Sequence, residues 1–481
     1  MLKNIFHLSF SNSIVLITNV LNISLLSRHL TISEYGTFRQ TFLPIDFLVP
    51  IVGLGVSQAI YFLLPKSDSK DKTIVNALFL VLIPSFLVFI IMNLGLSKLL
   101  SYFFNNQILI ITFFWAFFML IFQTPMQSLI SVLIYEGKTK YVSIISSSIS
   151  FLFTGLTFLL IYFNGELLEF IILKSLYPFI LFVFYVIIVL GIYKINFKLI
   201  FSLISRKQMV YILSISWPLA IASVLNIISM QVDKLIVSYT SSPDIFAIYA
   251  NGAIEVPFIA VITGAISSVI VSKMSREVKD NNMDRAYLYF KSAATNSALI
   301  LFPIMIFFLM YSREFMTILY SEKYIESYIP FSIYLFFLPI RIVVFGSAFI
   351  AVGKGGLIVS RALIELLLNI ILSLTLYYFI GIWGIAISSV LVVYLWSVPY
   401  NIFKISELYG ISISHMFEYN KLFKIMMCAL ILAPSLFIVK YLTSILILNF
   451  ILSAIIYFGL VLLLYYFFRI VDIKDIKNWG I

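Results

Sequence analysis

The chain has 481 residues, 62% hydrophobic and 11% charged, with a formal net charge of +11. Soluble domains run nearer half apolar and a quarter charged, so this composition excludes a soluble enzyme, a nucleic-acid-binding module and a secreted disulfide scaffold. A bilayer-crossing helix takes roughly 20 apolar residues, and about fourteen such helices account for the apolar share.

The opening MLKNIFHLSF has one lysine, a long apolar stretch and no A-x-A cleavage pattern, which predicts an uncleaved first span. Apolar runs bounded by charge, Gly or Pro predict spans 1 to 6 at 8–27, 41–64, 73–95, 108–129, 142–163 and 169–192. Spans 7 to 12 follow at 209–238, 245–271, 292–311, 328–350, 359–380 and 382–403, and spans 13 and 14 at 425–443 and 445–468. Runs such as 181–190 are apolar on every side, which fits lipid-facing helices and not the alternation of a barrel. Cys428, the single cysteine, lies inside span 13 and can form no intramolecular disulfide.

With the N-terminus inside, 23 of the 32 Lys and Arg residues fall on the cytoplasmic side, six fall outside, and Lys174, Lys234 and Arg341 lie within spans. This bias predicts an even number of helices with both termini cytoplasmic. The positive charge then faces anionic membrane lipids, and no nucleic-acid partner is implied. Segment 272–291 reads as an interfacial basic helix. No connection is long enough for a soluble domain. The Gly-Lys context VGKGG (352–356) lacks the spacing and hydroxyl of a phosphate loop. A catalytic role is therefore poorly supported, and nothing calls for a cofactor or a metal.

An internal repeat organises the chain. At an offset of 204, VLNI (20–23) lies over VLNI (224–227), and Asn12, Asn19, Asn22 and His29 fall over Ser216, Ser223, Asn226 and Asp233. At an offset of 211, YGTF (35–38) matches FAIY (246–249) and Gly53 falls over Gly264. Six helices per unit keep both halves in one orientation, a parallel repeat of the kind transporters use. The expected architecture is an all-α membrane protein: a lobe over 1–200, a second over 201–404, and helices 13 and 14 with a cytoplasmic tail over 405–481. Spans 1 and 7 then present polar stripes, Asn22 and Asn226 among them, toward a cavity between two bundles. The competing reading is that these residues hydrogen-bond helix to helix.

Charge at mid-bilayer costs about 2.5–3.5 kcal/mol on insertion scales, so each buried charge needs a partner, water or a purpose. Lys174 and Asp46 sit about 8 Å from an outer end, within snorkelling reach. Glu365 lies one turn from Arg361, and Asp233 and Lys234 adjoin near the outer end of span 7. Arg341, roughly 20 Å deep, and Glu255, near the midplane, are harder to excuse. They either pair as a structural bridge or separate into roles. In the second case Arg341, with Arg28 and Lys234, binds an anionic substrate through forks suited to phosphate oxygens, and Glu255 serves a coupling proton or cation, with Asp233 a second candidate. Pro218 and Pro257 fall inside spans 7 and 8, where a bend opens or closes half a cavity.

Four segments resemble the bacterial polysaccharide repeat-unit flippases (Wzx-type): SLLSRHLTISEYGTFRQTF (24–42), MQVDKLIVSYTSSPDIFAIYANGAIEVP (230–257), EFMTILYSEKYIES (314–327) and LLLNIILSLTLYYFIGIWGIAISS (366–389). The family sits in the superfamily of multidrug-and-toxin extrusion transporters and lipid II flippases. The resemblance implies alternating access by two six-helix lobes. It also implies transfer of an undecaprenyl-diphosphate-linked oligosaccharide to the outer leaflet of the bacterial inner membrane, for O-antigen, capsule or exopolysaccharide synthesis, beside a polymerase and chain-length proteins. By motif, Arg28 corresponds to the family's Arg closing the first helix, and Asp233-Lys234 to its acidic-basic pair. FAIY departs from the family's glycine at that turn. The rivals are an ion-coupled drug or metabolite antiporter and a lipid II flippase of the same architecture.

Overall fold

The computed structural model describes residues 2–195, 197–256, 258–440 and 444–470. Pro257 and the residues beyond 470, expected as a cytoplasmic tail, therefore lie outside the described residues, and the hinge reading of Pro257 with them. The described residues are almost wholly helical, with no strand among them. Thirteen helical segments among them are long and apolar enough to cross a membrane, so the chain is a multi-pass integral membrane protein.

Two compact units divide the chain at 247/248. The first contains α1 (Leu2–His29), α2 (Ile32–Val52), α3 (Val56–Leu63), α4 (Lys70–Ile91), α5 (Ser97–Phe103), α6 (Leu109–Tyr135), α7 (Thr139–Tyr162), α8 (Leu167–Tyr193) and α9 (Arg206–Thr240). Its core gathers Ala59, Ile60, Val81, Leu129, Leu133, Tyr185 and Ile212. Helix α9, the expected opening of the second lobe, packs on α2, α3 and α4.

Span 2 starts well before residue 41. Thr31 caps α2, its hydroxyl accepting from the Glu34 N–H at 3.2 Å while the Glu34 carboxylate accepts from the Thr31 N–H at 2.9 Å. The polar stretch that follows, which reads as a loop, is buried and paired: Asn106 donates to Thr37 and to Gln40, both at 2.8 Å, Gln40 donates to Ser238 at 3.1 Å, and Thr41 donates to Thr112 at 2.8 Å. Between α2 and α3 the chain turns at Leu54 and Gly55, both left-handed. A Cβ at Gly55 would stand 2.5 Å from the Ser216 carbonyl oxygen, so glycine is needed there for conformation and for close contact with α9.

The boundary between units falls inside α10 (Pro243–Gly252). Onward run α11 (Ile259–Lys279), α12 (Met283–Met310), α13 (Ser312–Tyr320), α14 (Tyr328–Tyr334), α15 (Leu338–Arg341), α16 (Phe345–Ala351), α17 (Gly356–Ile380), α18 (Ile382–Val392), α19 (Val398–Tyr409), α20 (Tyr419–Ile431), α21 (Ala433–Val439) and α22 (Leu446–Phe467). Spans 8 and 10, like span 2, are not continuous helices. Span 8 is divided between α10 and α11, and span 10 is interrupted at 342–344 between α15 and α16. The expected interfacial helix over 272–291 is instead the end of α11, a turn at 280–282 and the start of α12. The Gly-x-x-Gly break is explained by contact: left-handed Gly381 ends α17, and a Cβ at Gly384 would stand 2.3 Å from the Leu376 carbonyl oxygen.

Spans 13 and 14 correspond to α20–α22, with buried Cys428 in α20. Along α22, Asn449, Ser453, Tyr457, Val461 and Tyr465 form one buried stripe at four-residue steps. Tyr311 at the end of α12 reaches this stripe, its hydroxyl 2.6 Å from Ser453 and donating to Asn449 at 3.2 Å and to the Leu436 carbonyl at 3.3 Å. The opposite face of α22, with Ile447, Ile451, Ile455 and Leu462, is exposed and apolar, as a lipid-facing surface is.

Candidate functional site

The polar stripe of α1 separates into two sets. Ser11, Thr18 and Asn22 face α7. Ser11 donates to the Ser143 carbonyl and accepts from Ser147, both at 3.1 Å, Thr18 bonds Ser150, and Asn22 donates to Thr154 at 3.1 Å. Asn22 thus sits in a helix-to-helix seam. Asn12 and Asn19, seven residues apart, are exposed. The matching residues of α9 behave otherwise: Ser216 is buried, Ser223 accepts from Gln58 at 3.3 Å, and Asn226 is exposed with its amide 3.8 Å from the Met230 sulfur.

In the last turn of α1, exposed Arg28 curls back on its own helix and donates to the Ser24 carbonyl at 3.1 Å. That position suits a cation, because the last carbonyls of a helix carry partial negative charge. His29 Nε2 lies 2.9 Å from the Gly165 carbonyl and its ring packs edge-on to Phe170. Asp233 on α9 is buried, while Lys234 is half-buried and donates to Gln231 at 2.9 Å.

Lys234 belongs to a larger charge cluster in the first unit. Asp46 of α2 interacts electrostatically with Lys174 of α8, Lys234 of α9 and Arg39 of α2. The Lys174 ammonium lies 3.8 Å from the centroid of Phe42 and 4.8 Å from that of Phe38, both buried rings. Arg39 hydrogen-bonds the buried Tyr35. Lys174 and Asp46 are themselves exposed. Because α2 begins at Ile32, Asp46 lies 14 residues in, about 21 Å from the start of the helix and further from a helix end than the sequence led one to expect.

In the second unit, Arg341 and Glu255 form a direct ion pair, with 46% and 30% of their side chains exposed. Glu255 is not on a helix, as its place in span 8 predicted, but in the unwound stretch between α10 and α11, where Ile254 N–H reaches the Gly252 carbonyl at 2.7 Å and Phe258 is left-handed. Arg341 ends α15 at the second interruption. The salt bridge therefore braces two broken helices at their breaks. Irregular backbone at membrane depth is stable where it is buried in protein or lines a polar cavity. Thr263, Ser297, Ser347, Phe290 and Arg341 surround about 10 Å³ of accessible space there, room for one water. On α17, Arg361 pairs with Glu365 at 2.8 Å as the i, i+4 spacing predicts, and Glu365 also accepts from Ser397 at 2.7 Å.

Among the described residues no group of three or more His, Cys, Asp or Glu side chains is arranged to hold a metal. At the end of α6, Glu136 accepts from Tyr193 at 2.6 Å and from Lys70 at 3.1 Å. The Tyr193 hydrogen bond, helped by Lys70, holds the Glu136 carboxyl below its ordinary range.

The sequence model of a family described as polysaccharide biosynthesis protein matches residues 25–329. No curated protein matches by sequence. Solved structures do match in fold. A lipid II flippase MurJ in an inward closed conformation has a TM-score of 0.78 at 16% identity, over 96% of this chain and 99% of that one. An inward-facing multidrug resistance transporter of the MATE family, in the MOP superfamily, scores 0.64 at 17% identity, over 85% and 99%. A MOP superfamily transporter from Pyrococcus furiosus scores 0.57 at 16% identity, over 84% and 94%. At these identities the likeness establishes the fold.

Proposed function

Because the chain belongs to the polysaccharide biosynthesis protein family, we propose that it is a flippase for an undecaprenyl-diphosphate-linked oligosaccharide, carrying the repeat unit from the cytoplasmic to the outer leaflet for O-antigen, capsule or exopolysaccharide synthesis. The match across 25–329 carries this reading. The charge pattern supports it: cations at membrane depth suit a diphosphate, and exposed Asn12, Asn19 and Asn226 suit a sugar. The proposed site comprises Lys234, Arg341 and Arg28 as phosphate contacts, Asn226 on the sugar side, and Glu255 and Asp233 as groups that carry the coupling ion. The repeat places one six-helix lobe over 1–200 and the other over 201–404, with 405–481 added, and the lobes expose the ligand to each side in turn. The protein resides in the bacterial inner membrane with both termini cytoplasmic, where a polymerase and chain-length proteins receive the product.

The test is reconstitution of the full chain into phospholipid vesicles with a fluorescent undecaprenyl-diphosphate oligosaccharide, reading the labelled sugar's protection from an external quencher. Faster exchange than in empty vesicles is expected. Exchange equal to empty vesicles, from folded protein, overturns the reading. Exchange of lipid II but not of the oligosaccharide reassigns it to the lipid II class. Uptake of a cationic drug against a proton gradient, with no lipid exchange, reassigns it to the antiporters.

A further inference from the structure

Within the second unit, two cavities of opposite character meet at the interruption that follows α15. Arg341 borders the small polar one with Ser297 and Ser347, whereas its chain neighbours Ile340 and Ile342 border an apolar recess of about 140 Å³. Ile342 and Val343 belong to the walls of both. Tyr394, Val398 and Phe417 also line the recess. Among the described residues no charged side chain lines it. The Tyr394 hydroxyl, its one polar side-chain group, donates to the Phe336 carbonyl at 2.8 Å. An apolar recess of this size takes a group of about five or six carbons and stays dry when empty. Val343 is buried, but Ile342, Tyr394, Val398 and Phe417 keep part of their surface exposed, so the recess is open to its surroundings.

We propose that this recess seats the first isoprene unit of the ligand's lipid chain, which makes Ile342, Val398 and Phe417 specificity-determining residues for a polyprenyl diphosphate. This inference deepens the flippase reading and rests on it for the oligosaccharide. In a polyprenyl diphosphate a phosphate oxygen is bonded directly to the first five-carbon unit, so cation and apolar wall have to adjoin. Consecutive Cα atoms stand about 3.8 Å apart, and Ile340, Arg341 and Ile342 supply wall, cation and wall at that spacing. A glycerophospholipid instead interposes glycerol and two ester groups between phosphate and hydrocarbon. Those esters would be buried without a donor in a recess that offers none, which disfavours an acyl chain as occupant. Arg341 keeps the capacity to meet the phosphate, because a guanidinium carries five N–H donors, Glu255 engages it through Nη2, and 46% of the side chain is exposed. The recess and Arg341 together read the lipid carrier and not the sugar attached to it.

The experiment titrates the purified full chain, in phosphatidylcholine nanodiscs, with inorganic pyrophosphate and with dimethylallyl diphosphate as the five-carbon probe. Dimethylallyl diphosphate binds wild type about a hundredfold more tightly than pyrophosphate, the gain from taking five carbons out of water into a partly open recess. Val398→Trp fills the recess and Phe417→Ala removes part of its wall. Each weakens dimethylallyl diphosphate binding by about tenfold. Pyrophosphate binding is unchanged in both variants, which shows that they are folded. Arg341→Gln weakens both probes alike. Acyl chains of the nanodisc compete for the recess throughout, so equal affinity of the two probes for wild type marks an acyl chain as the occupant and overturns the inference. Binding of neither probe by folded protein overturns it too, as does unchanged dimethylallyl diphosphate binding in both variants or a parallel loss of both probes in both. If wild-type protein exchanges no lipid-linked oligosaccharide while the two probes behave as stated, the flippase reading fails and the isoprenoid site stands. If exchange occurs and the probe series fails, the site falls alone.

Discussion

Replacing Arg341 with Gln separates a brace from a ligand contact by magnitude. Two unit charges at contact gain about 4 kcal/mol at an effective dielectric near 20. With 46% of Arg341 and 30% of Glu255 exposed, solvent screens the pair to about 1 kcal/mol or less. The folded state of Arg341→Gln therefore melts within about 2 °C of wild type in detergent. A charge-assisted hydrogen bond to phosphate contributes about 1.5–3 kcal/mol, so the same change slows lipid-linked oligosaccharide exchange by about 10- to 100-fold. The exchanged pair Arg341→Glu, Glu255→Arg restores the melting temperature and leaves transport defective. Normal surface polysaccharide with Arg341→Gln at normal expression removes Arg341 from the mechanism, and full recovery of transport in the exchanged pair reduces it to a brace.

Three further outcomes follow from local geometry. Gly55→Ala forces a left-handed alanine against the Ser216 carbonyl, costing about 2–4 kcal/mol. Gly410→Ala, equally left-handed but with nothing near its Cβ position, costs about 1–2 kcal/mol; equal melting shifts for the two would refute the close-contact argument. Tyr311→Phe strips the hydroxyl from Ser453, Asn449 and the Leu436 carbonyl, lowering stability by about 1–3 kcal/mol, and it increases proteolysis in α20–α22 before elsewhere. Because the folded Glu136 carboxyl titrates below its ordinary range, its stabilising contribution is complete above that range and lost as pH falls through the folded value. Tyr193→Phe therefore narrows the difference in acid melting between wild type and Glu136→Gln.

The positions of most spans were legible because long apolar runs leave few alternatives to a membrane helix. The breaks in spans 8 and 10 were not, because 253–256 and 342–344 are as apolar as the helices around them, apart from Glu255 itself. What distinguishes these stretches is contact at a distance: a Cβ at Gly252 would stand 2.2 Å from the Ser327 carbonyl oxygen, and Ser327 donates to the Ile248 carbonyl at 2.8 Å. The Arg341–Glu255 pair was legible as one of two alternatives, since depth alone indicated that each charge required a partner or water. The partner role of Asn22 was likewise one side of an open choice, decided by Thr154 in a helix far along the chain.

The largest revision concerns Asp46. Hydropathy starts span 2 at residue 41 because Thr37, Arg39, Gln40 and Thr41 resemble a loop, whereas the helix starts at Ile32. Thr37, Gln40 and Thr41 remain helical because Asn106, Ser238 and Thr112 satisfy them from α9 and from the approach to α6 and its first turn. Advancing the helix start by nine residues moves Asp46 about 13 Å further from that end of the helix, from a depth that a flexible lysine can escape to one that a short carboxylate cannot. A charge so placed has to be compensated where it stands. The cations that compensate it come from α8 and α9 as well as α2, and Phe38 and Phe42 of α2 seat the one from α8. Sequence periodicity within α2 could reveal neither fact, because both depend on which other helices pack beside it.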